Sequence, residues 1–275
     1  MKVETKIDGN TFNTPFFEEH KDIFQFGKNK NLKRVLIDNT LGFSKLKDFN
    51  DPFEMSYSYF HHVENQILAL QHLLNKSKVV ENNLVSKVQR IIDEELESVS
   101  VCCFSKSPLE PLMWSHYSDK HSGICYCFDK SKLFPGLTLK SKSVIYSNTL
   151  AEINFYEKNT SLEILRHKIE SIINTKSKSW SYENEYRFWN KTKEKSVRFN
   201  PKSLNAIIVG FRNLNKEEII KLVEDFNKKN KMDVKIIYTR PSPQFYKMIM
   251  GYKDGIKSSS ITIPTYNLND KPISL

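Results

Sequence analysis

Two apolar runs, Val101-Cys102-Cys103-Phe104 and Ile124-Cys125-Tyr126-Cys127-Phe128, constrain this chain most. Each is short, rich in β-branched and aromatic residues, and bounded by polar segments, which predicts two strands buried on both faces. A third pattern joins them. Ala206-Ile207-Ile208-Val209-Gly210, a helical stretch from Lys216 to Asn227, and Val234-Lys235-Ile236-Ile237-Tyr238 read as a β-α-β unit. The order of strands and helices predicts an α+β fold, a single mixed-sheet domain over residues 1–275 with a helical insertion.

The insertion is expected over about 63–99. Ile67, Leu70, Leu73 and Leu74, then Leu84, Val88, Ile91 and Ile92, recur at helical spacing, and the Lys-rich break Asn75-Lys76-Ser77-Lys78 divides the two helices. These stripes read as core contacts. The first 20 residues and those after Gly251 (252–275) read as polar arms. Strands are also expected at Ile23–Phe26, Thr40–Ser44 and Ser143–Tyr146, and a helix from about Ser161 to Lys176. Between them, Lys47-Asp48-Phe49-Asn50-Asp51-Pro52-Phe53-Glu54 reads as a turn. Asn and Asp bond their own backbone there, Pro52 disfavours helix, and the two Phe side chains are expected to pin it to the core.

No run approaches the roughly 18 to 20 apolar residues of a membrane span, and MKVETKIDGN lacks the apolar stretch of a secretory signal, so a cytoplasmic protein without membrane contact is expected. The formal charge is +10, spread over Lys-rich loops, and is compatible with an anionic partner such as a polynucleotide or a dinucleotide. All four cysteines lie within the two apolar runs. Strand alternation sends Cys102 and Cys103 to opposite faces, so buried free thiols are expected rather than a metal site.

The chemistry-bearing residues fall in two clusters. The first, Phe104 to Gly123, holds Ser105, Ser107, Trp114, His116, Tyr117 and His121. Ser107-Pro108-Leu109-Glu110 matches a capping box, with a start one turn later as the alternative, and Gly123 is the expected left-handed cap. His116 and His121 are five apart, which does not suit two metal ligands on one helix face, so no metal is expected. Aromatic faces with His and Ser donors suit a planar or nucleotide ring. The second cluster, Trp180-Ser181-Tyr182-Glu183-Asn184-Glu185-Tyr186-Arg187-Phe188-Trp189, reads as a strand with Glu183, Glu185 and Arg187 on one face. Paired carboxylates there suit acid–base work or stabilisation of a developing cation, and a plain ion-paired sheet face is the other reading. No Walker loop, G-x-G-x-x-G or G-x-S-x-G motif occurs.

On Phe49-Asn50-Asp51-Pro52-Phe53-Glu54, Cys103-Phe104-Ser105, Met113-Trp114-Ser115-His116-Tyr117, His121-x-Gly123, Val144-Ile145-Tyr146-Ser147 and Trp180-x-Tyr182-Glu183-x-Glu185-Tyr186-Arg187, the chain resembles a bacterial and phage family, domain of unknown function 2971. That family is often found near abortive-infection and other defence genes. The resemblance spans about Ile23 to Tyr238. The family's Tyr-Lys-Tyr-like start reads Phe24-Gln25-Phe26 here. A more distant similarity is to ADP-ribosyltransferases. It implies NAD as co-substrate, Glu185 as the catalytic carboxylate, Glu183 orienting the acceptor, and Ser105-Lys106-Ser107 as the strand touching nicotinamide ribose. Trp114, His116 and Tyr117 are then expected to form the ring pocket, with His121, Arg187 and Asn50 among the binding residues. Lys28 or Arg34 is left to serve as the basic residue of the first strand. The acceptor is expected to be a nucleic acid or a protein. Rival expectations are a nucleic-acid-binding or nucleic-acid-cleaving defence protein and a non-catalytic sensor module.

Overall fold

A computed structural model of the chain describes residues 3–7, 10–14, 17–18, 20–59, 81–153, 162–191, 194–242 and 245–251. The architecture is α+β with mixed strand pairing, as the order of apolar runs implies. It divides into two compact units, one of Met1–Ile37, Pro108–Leu133 and Pro201–Leu275, the other of Asp38–Ser107 and Phe134–Asn200. No helix among the described residues is long and apolar enough to cross a membrane.

In the first unit the strand Ile124–Asp129 is buried along its whole length. It lies antiparallel to Asp22–Gly27 on one side and to Leu204–Val209 on the other. The expected β-α-β unit follows: Leu204–Val209 runs parallel to Lys235–Pro241, and the helix Lys216–Asn230 connects them. That helix buries Ile219, Val223 and Phe226, one stripe at spacings of four and three. Strand alternation sorts the thiols. Cys125 and Cys127 share one face with Phe24, Ala206, Ile208 and Ile237, and Trp114 is packed into the same cluster. The polar N-terminus is paired rather than loose, with Val3–Ile7 antiparallel to Asn10–Thr14. Alternating β-branched residues in Val3-Glu4-Thr5-Lys6-Ile7 suit a strand, a pattern that the polar composition hides.

In the second unit Ser100–Ser105 pairs antiparallel with Glu185–Asn190, which pairs on its other edge with Lys140–Ser143. The helices Glu81–Ser98 and Leu162–Ile173 cover this layer. Ile92, Leu96, Ile169, Ile172 and Ile173 share a core with Leu46, Val101 and Trp189. The helix expected to reach Lys176 stops at Ile173, because Thr175–Ser177 pairs in parallel with Ile145–Ser147. Val144 interrupts the expected Ser143–Tyr146 strand, its N–H bonding the Glu185 carbonyl. The first helix of the expected insertion and its Lys-rich break lie outside the described residues, as does the tail after Gly251. Of the two Phe in the turn, Phe49 packs on the core while Phe53 is exposed, correcting the expectation that both anchor it. The Asp51 carboxylate accepts the Phe53 N–H at 3.0 Å, a local bond that shapes the turn without drawing Phe53 inward.

Candidate functional site

The second cluster does not form one continuous strand. Lys178–Glu183 is a 3-10 turn, Asn184 sits at φ 43°, and the strand begins only at Glu185. Strict alternation therefore does not place Glu183 beside Glu185 and Arg187; the left-handed Asn184 links the turn to the strand, and Lys176 joins the two carboxylates. The Lys176 ammonium lies 2.6 Å from Glu183 and 3.6 Å from Glu185, and also 3.5 Å from Glu54. All five N–H donors of Arg187 are used. Nε and Nη2 grip the two Glu185 oxygens at 2.9 and 3.0 Å, Nη1 and Nη2 bond Glu54 at 3.1 and 2.7 Å, and Nη1 also bonds the Ile173 carbonyl at 2.5 Å. Phe49 stacks against this guanidinium and Trp180 against the Lys176 ammonium, at 5.5 and 4.9 Å.

Every charged side chain of the cluster is at least 94 % buried, with Arg187 fully so. Burial favours the neutral acid of Glu185, but the Arg187 charge, its hydrogen bonds and Lys176 outweigh this and hold the Glu185 pKa below its ordinary 4.5. Burial likewise disfavours the charged Lys176, and the Glu185 and Glu183 charges more than reverse it, raising that pKa. The Cys103 thiol is pushed up by burial and then by the neighbouring Glu185 charge, so it is a proton-bearing neighbour of the carboxylate. The Tyr146 hydroxyl accepts the Glu185 N–H at 2.8 Å.

The depressed Glu185 pKa has a defined consequence for stability. Its contribution is present above the unfolded-state value, 4.5, and is lost as pH falls through the lower folded value. In urea titrations from pH 7 to pH 3, wild type should lead Glu185→Gln at neutral pH, and the gap should close below about pH 4.5. A gap constant across that range contradicts an ionised, partnered Glu185.

Ser105, opposite Glu185 in the strand register, is buried and bonds the Ser107 backbone through its hydroxyl. The Lys106 N–H bonds the Asn184 carbonyl at 2.9 Å, so Ser105-Lys106-Ser107 and Glu183-Asn184-Glu185 are neighbours in the second unit. Asn50 belongs to the same unit and is solvent-exposed.

The remaining predicted residues, Trp114, His116, Tyr117 and His121, belong to the first unit. The helix there runs Pro111–Tyr117, with Glu110 as its N-cap accepting the Leu112 N–H, so the later of the two expected starts is the observed one. Trp114 is completely buried. Its indole N–H bonds the Pro108 carbonyl at 2.7 Å, and its ring meets Phe26 edge-on at 5.2 Å, so the packed core takes up both its faces and its donor. His116 is exposed with its ring 6.3 Å from that of half-buried Tyr117. The His121 ring lies 5.2 Å from that of Phe211, tilted by 55°. Burial, then the Arg212 charge, lowers its pKa. The left-handed turn expected at Gly123 lies at Asp119, Lys120 and His121 instead, at φ 45°, 53° and 70°. Gly123 is needed for a different reason: a Cβ there would lie 2.4 Å from the Gly27 carbonyl oxygen.

Glu54, Lys176, Tyr146 and Cys103 were not among the predicted site residues. Glu54, Tyr146 and Cys103 lie within segments that carry the family resemblance, which was the available signal. Lys176 carried none, since it sits in a Lys- and Ser-rich stretch that reads as solvated surface. Among the described residues no group of three or more His, Cys, Asp or Glu is arranged to hold a metal ion.

The sequence pattern of a family described as a protein of unknown function, DUF2971, matches residues 113–188, a stretch that takes in Met113–Tyr117 of the Trp114 helix and the Glu183–Arg187 segment. No curated protein matches the chain, and no solved structure does.

Proposed function

We propose that the Ser105–Glu185 end of the second unit carries an NAD-dependent glycosyl transfer, passing ADP-ribose to a nucleic-acid or protein acceptor in bacterial or phage conflict. One observation carries the reading. Glu185 stands opposite Ser105 in the strand register, so a Ser-rich strand end and a Glu-x-Glu segment eighty residues apart in the chain are adjacent. The chemistry asks little of proton transfer. The glycosidic C–N bond breaks with its electron pair leaving on nicotinamide, the acceptor's lone pair forms the new bond, and the acceptor's proton passes to solvent. What the protein must supply is a fixed negative charge beside the cationic ribosyl transition state. Glu185 is ionised and oriented by Arg187, and a carboxylate offers about four acceptor positions, so Arg187 need not exhaust it. Glu183, held by Lys176, orients the acceptor.

The test follows NAD loss and ADP-ribose transfer by mass spectrometry, with purified protein, NAD and cell lysate. Glu185→Gln should reduce turnover at least about a hundredfold, in line with the loss of one preorganised electrostatic contact, while circular dichroism shows a folded chain. Wild-type turnover in the folded variant, or none in the wild type with any lysate fraction, overturns the proposal. The complete engagement of the Arg187 donors favours one second reading, a non-catalytic module in which the ion network fixes the fold. On that reading Glu185→Gln alters stability and leaves cellular function intact.

A further inference from the structure

The first unit carries most of the chain's net charge. It holds 23 Lys and Arg against 15 Asp and Glu, a net +8, while the second unit holds 19 against 17, a net +2. Such an asymmetry within one chain marks the basic part for an anionic partner.

Strand order decides where part of that charge gathers. Leu204–Val209 and Lys235–Pro241 run parallel and side by side, and Ile124–Asp129 runs the opposite way along the other edge of Leu204–Val209, with Ile124 opposite Val209. Three segments therefore meet at one end of the sheet. They are 210–213, 119–123, and the turn that joins Lys235–Pro241 to its antiparallel partner Met248–Gly251. Cations and rings alternate there. The Arg212 guanidinium lies 5.1 Å from the Phe211 ring, that ring 5.2 Å from His121, and the Lys247 ammonium 4.8 Å from the Phe245 ring. The segment bearing the helix Pro111–Tyr117 ties the two groups together: the His121 N–H bonds the Trp114 carbonyl and the Met248 N–H bonds the Leu109 carbonyl, each at 3.1 Å.

This end of the sheet is open to solvent. Phe245 is 55 % exposed and Tyr246 fully so. A ring held wholly in water gains nothing from burial, so packing does not account for Tyr246. Lys120, Arg212 and Lys247 are exposed too. Among the described residues no carboxylate lies within 4 Å of these three cations, whereas Lys28, at the same end of the sheet, pairs with Asp119 at 3.5 Å.

We propose that this end of the first unit binds single-stranded nucleic acid, with bases stacking on Tyr246 and Phe245 and phosphates meeting Lys247, Arg212 and Lys120. A single strand offers ring faces and negative charge together. In a duplex the base faces are already stacked on one another, and an acidic protein surface would answer the cations but leave the rings in water. The surface uses no residue of the Glu185 network and does not rest on the glycosyl-transfer reading.

Fluorescence anisotropy with the full-length protein tests this, using a short labelled oligothymidylate and an abasic strand with the same number of phosphates, over a range of salt. Wild type and Glu185→Gln should bind the oligothymidylate alike, and the abasic strand at least about tenfold more weakly, since stacking is lost. Tyr246→Ala, at a side chain that packs against nothing, should lose about tenfold on the oligothymidylate and nothing on the abasic strand. Arg212→Gln and Lys247→Gln should weaken both strands and each make the log–log salt dependence shallower by about 0.7. No binding at low salt overturns the proposal, as does unchanged affinity in Tyr246→Ala. Equal wild-type affinity for the two strands would reduce the surface to plain charge attraction, and tighter binding of a duplex of the same length would remove the single strand as its occupant. Loss of binding in a folded Glu185→Gln would move the strand to the second unit, which also overturns it.

Discussion

Replacing Arg187 with leucine should destabilise the protein by about 3–5 kcal/mol, the range seen when one partner of a buried ion pair is removed and the other remains. The side chain bridges Glu54 and Glu185 through paired hydrogen bonds, and both carboxylates are almost wholly buried. Leucine leaves Lys176 as the one cation within 4 Å of Glu54 and Glu185 among the described residues. The remaining charges must then be neutralised by proton uptake or reached by water, and each route costs stability. Urea denaturation gives the direct measure. Adding Glu54→Gln and Glu185→Gln to Arg187→Leu should recover part of the loss, since the cost lies in stranded charges more than in missing contacts. A loss below about 1 kcal/mol in the single variant would mean that solvent already reaches the network.

Gly210→Ala should cost about 3 kcal/mol, at the upper end for overpacking a tight site. A Cβ there would meet the His121 carbonyl oxygen at 2.2 Å, its carbon at 2.8 Å and the Gly123 oxygen at 3.0 Å. These are backbone atoms, so no rotamer change relieves the clash. Nor can the opposing segment retreat freely. The His121 N–H bonds the Trp114 carbonyl, the Gly210 N–H the Gly123 carbonyl, and the Arg212 N–H the His121 carbonyl. Three successive residues there, Asp119 to His121, already hold positive φ angles that L-residues adopt at a cost. Gly136→Ala is the control. It sits at φ 74° with nothing within 4 Å of the added carbon, so only the backbone term, about 1 kcal/mol, should appear in its melting curve. Equal losses at the two glycines would show that the His121 segment yields to the added carbon at little cost.

The sheet-forming segments were legible because their signal is local. Ile124–Phe128 and Ala206–Val209 are apolar at every position, as burial on both faces of a strand demands, and Val234–Tyr238 follows the amphipathic helix as a half-buried strand. The sorting of Cys125 and Cys127 onto one face likewise follows from the two-residue period of a strand. Where several conformations satisfy the same local pattern, sequence reading failed. Trp180 to Trp189 has the aromatic content of a strand, yet its first four residues belong to a 3-10 turn ended by left-handed Asn184, a conformation open to Asn more than to most residues. The left-handed turn belongs to Asp119–His121 rather than to Gly123, because the glycine is required by the Gly27 carbonyl pressed against it.

Local pattern thus determined the fold class, the β-α-β unit, and the placement of Glu185 and Arg187 on one strand face, since each depends on residues within a few positions of one another. Tertiary structure alone decided that Glu54 and Lys176 complete the ion network, that Ser105 faces Glu185, and that Trp114 is core. Those relations join segments far apart in the chain, and a buried charge announces its partner only when the fold brings the two within hydrogen-bonding distance, a condition that periodicity and composition do not encode.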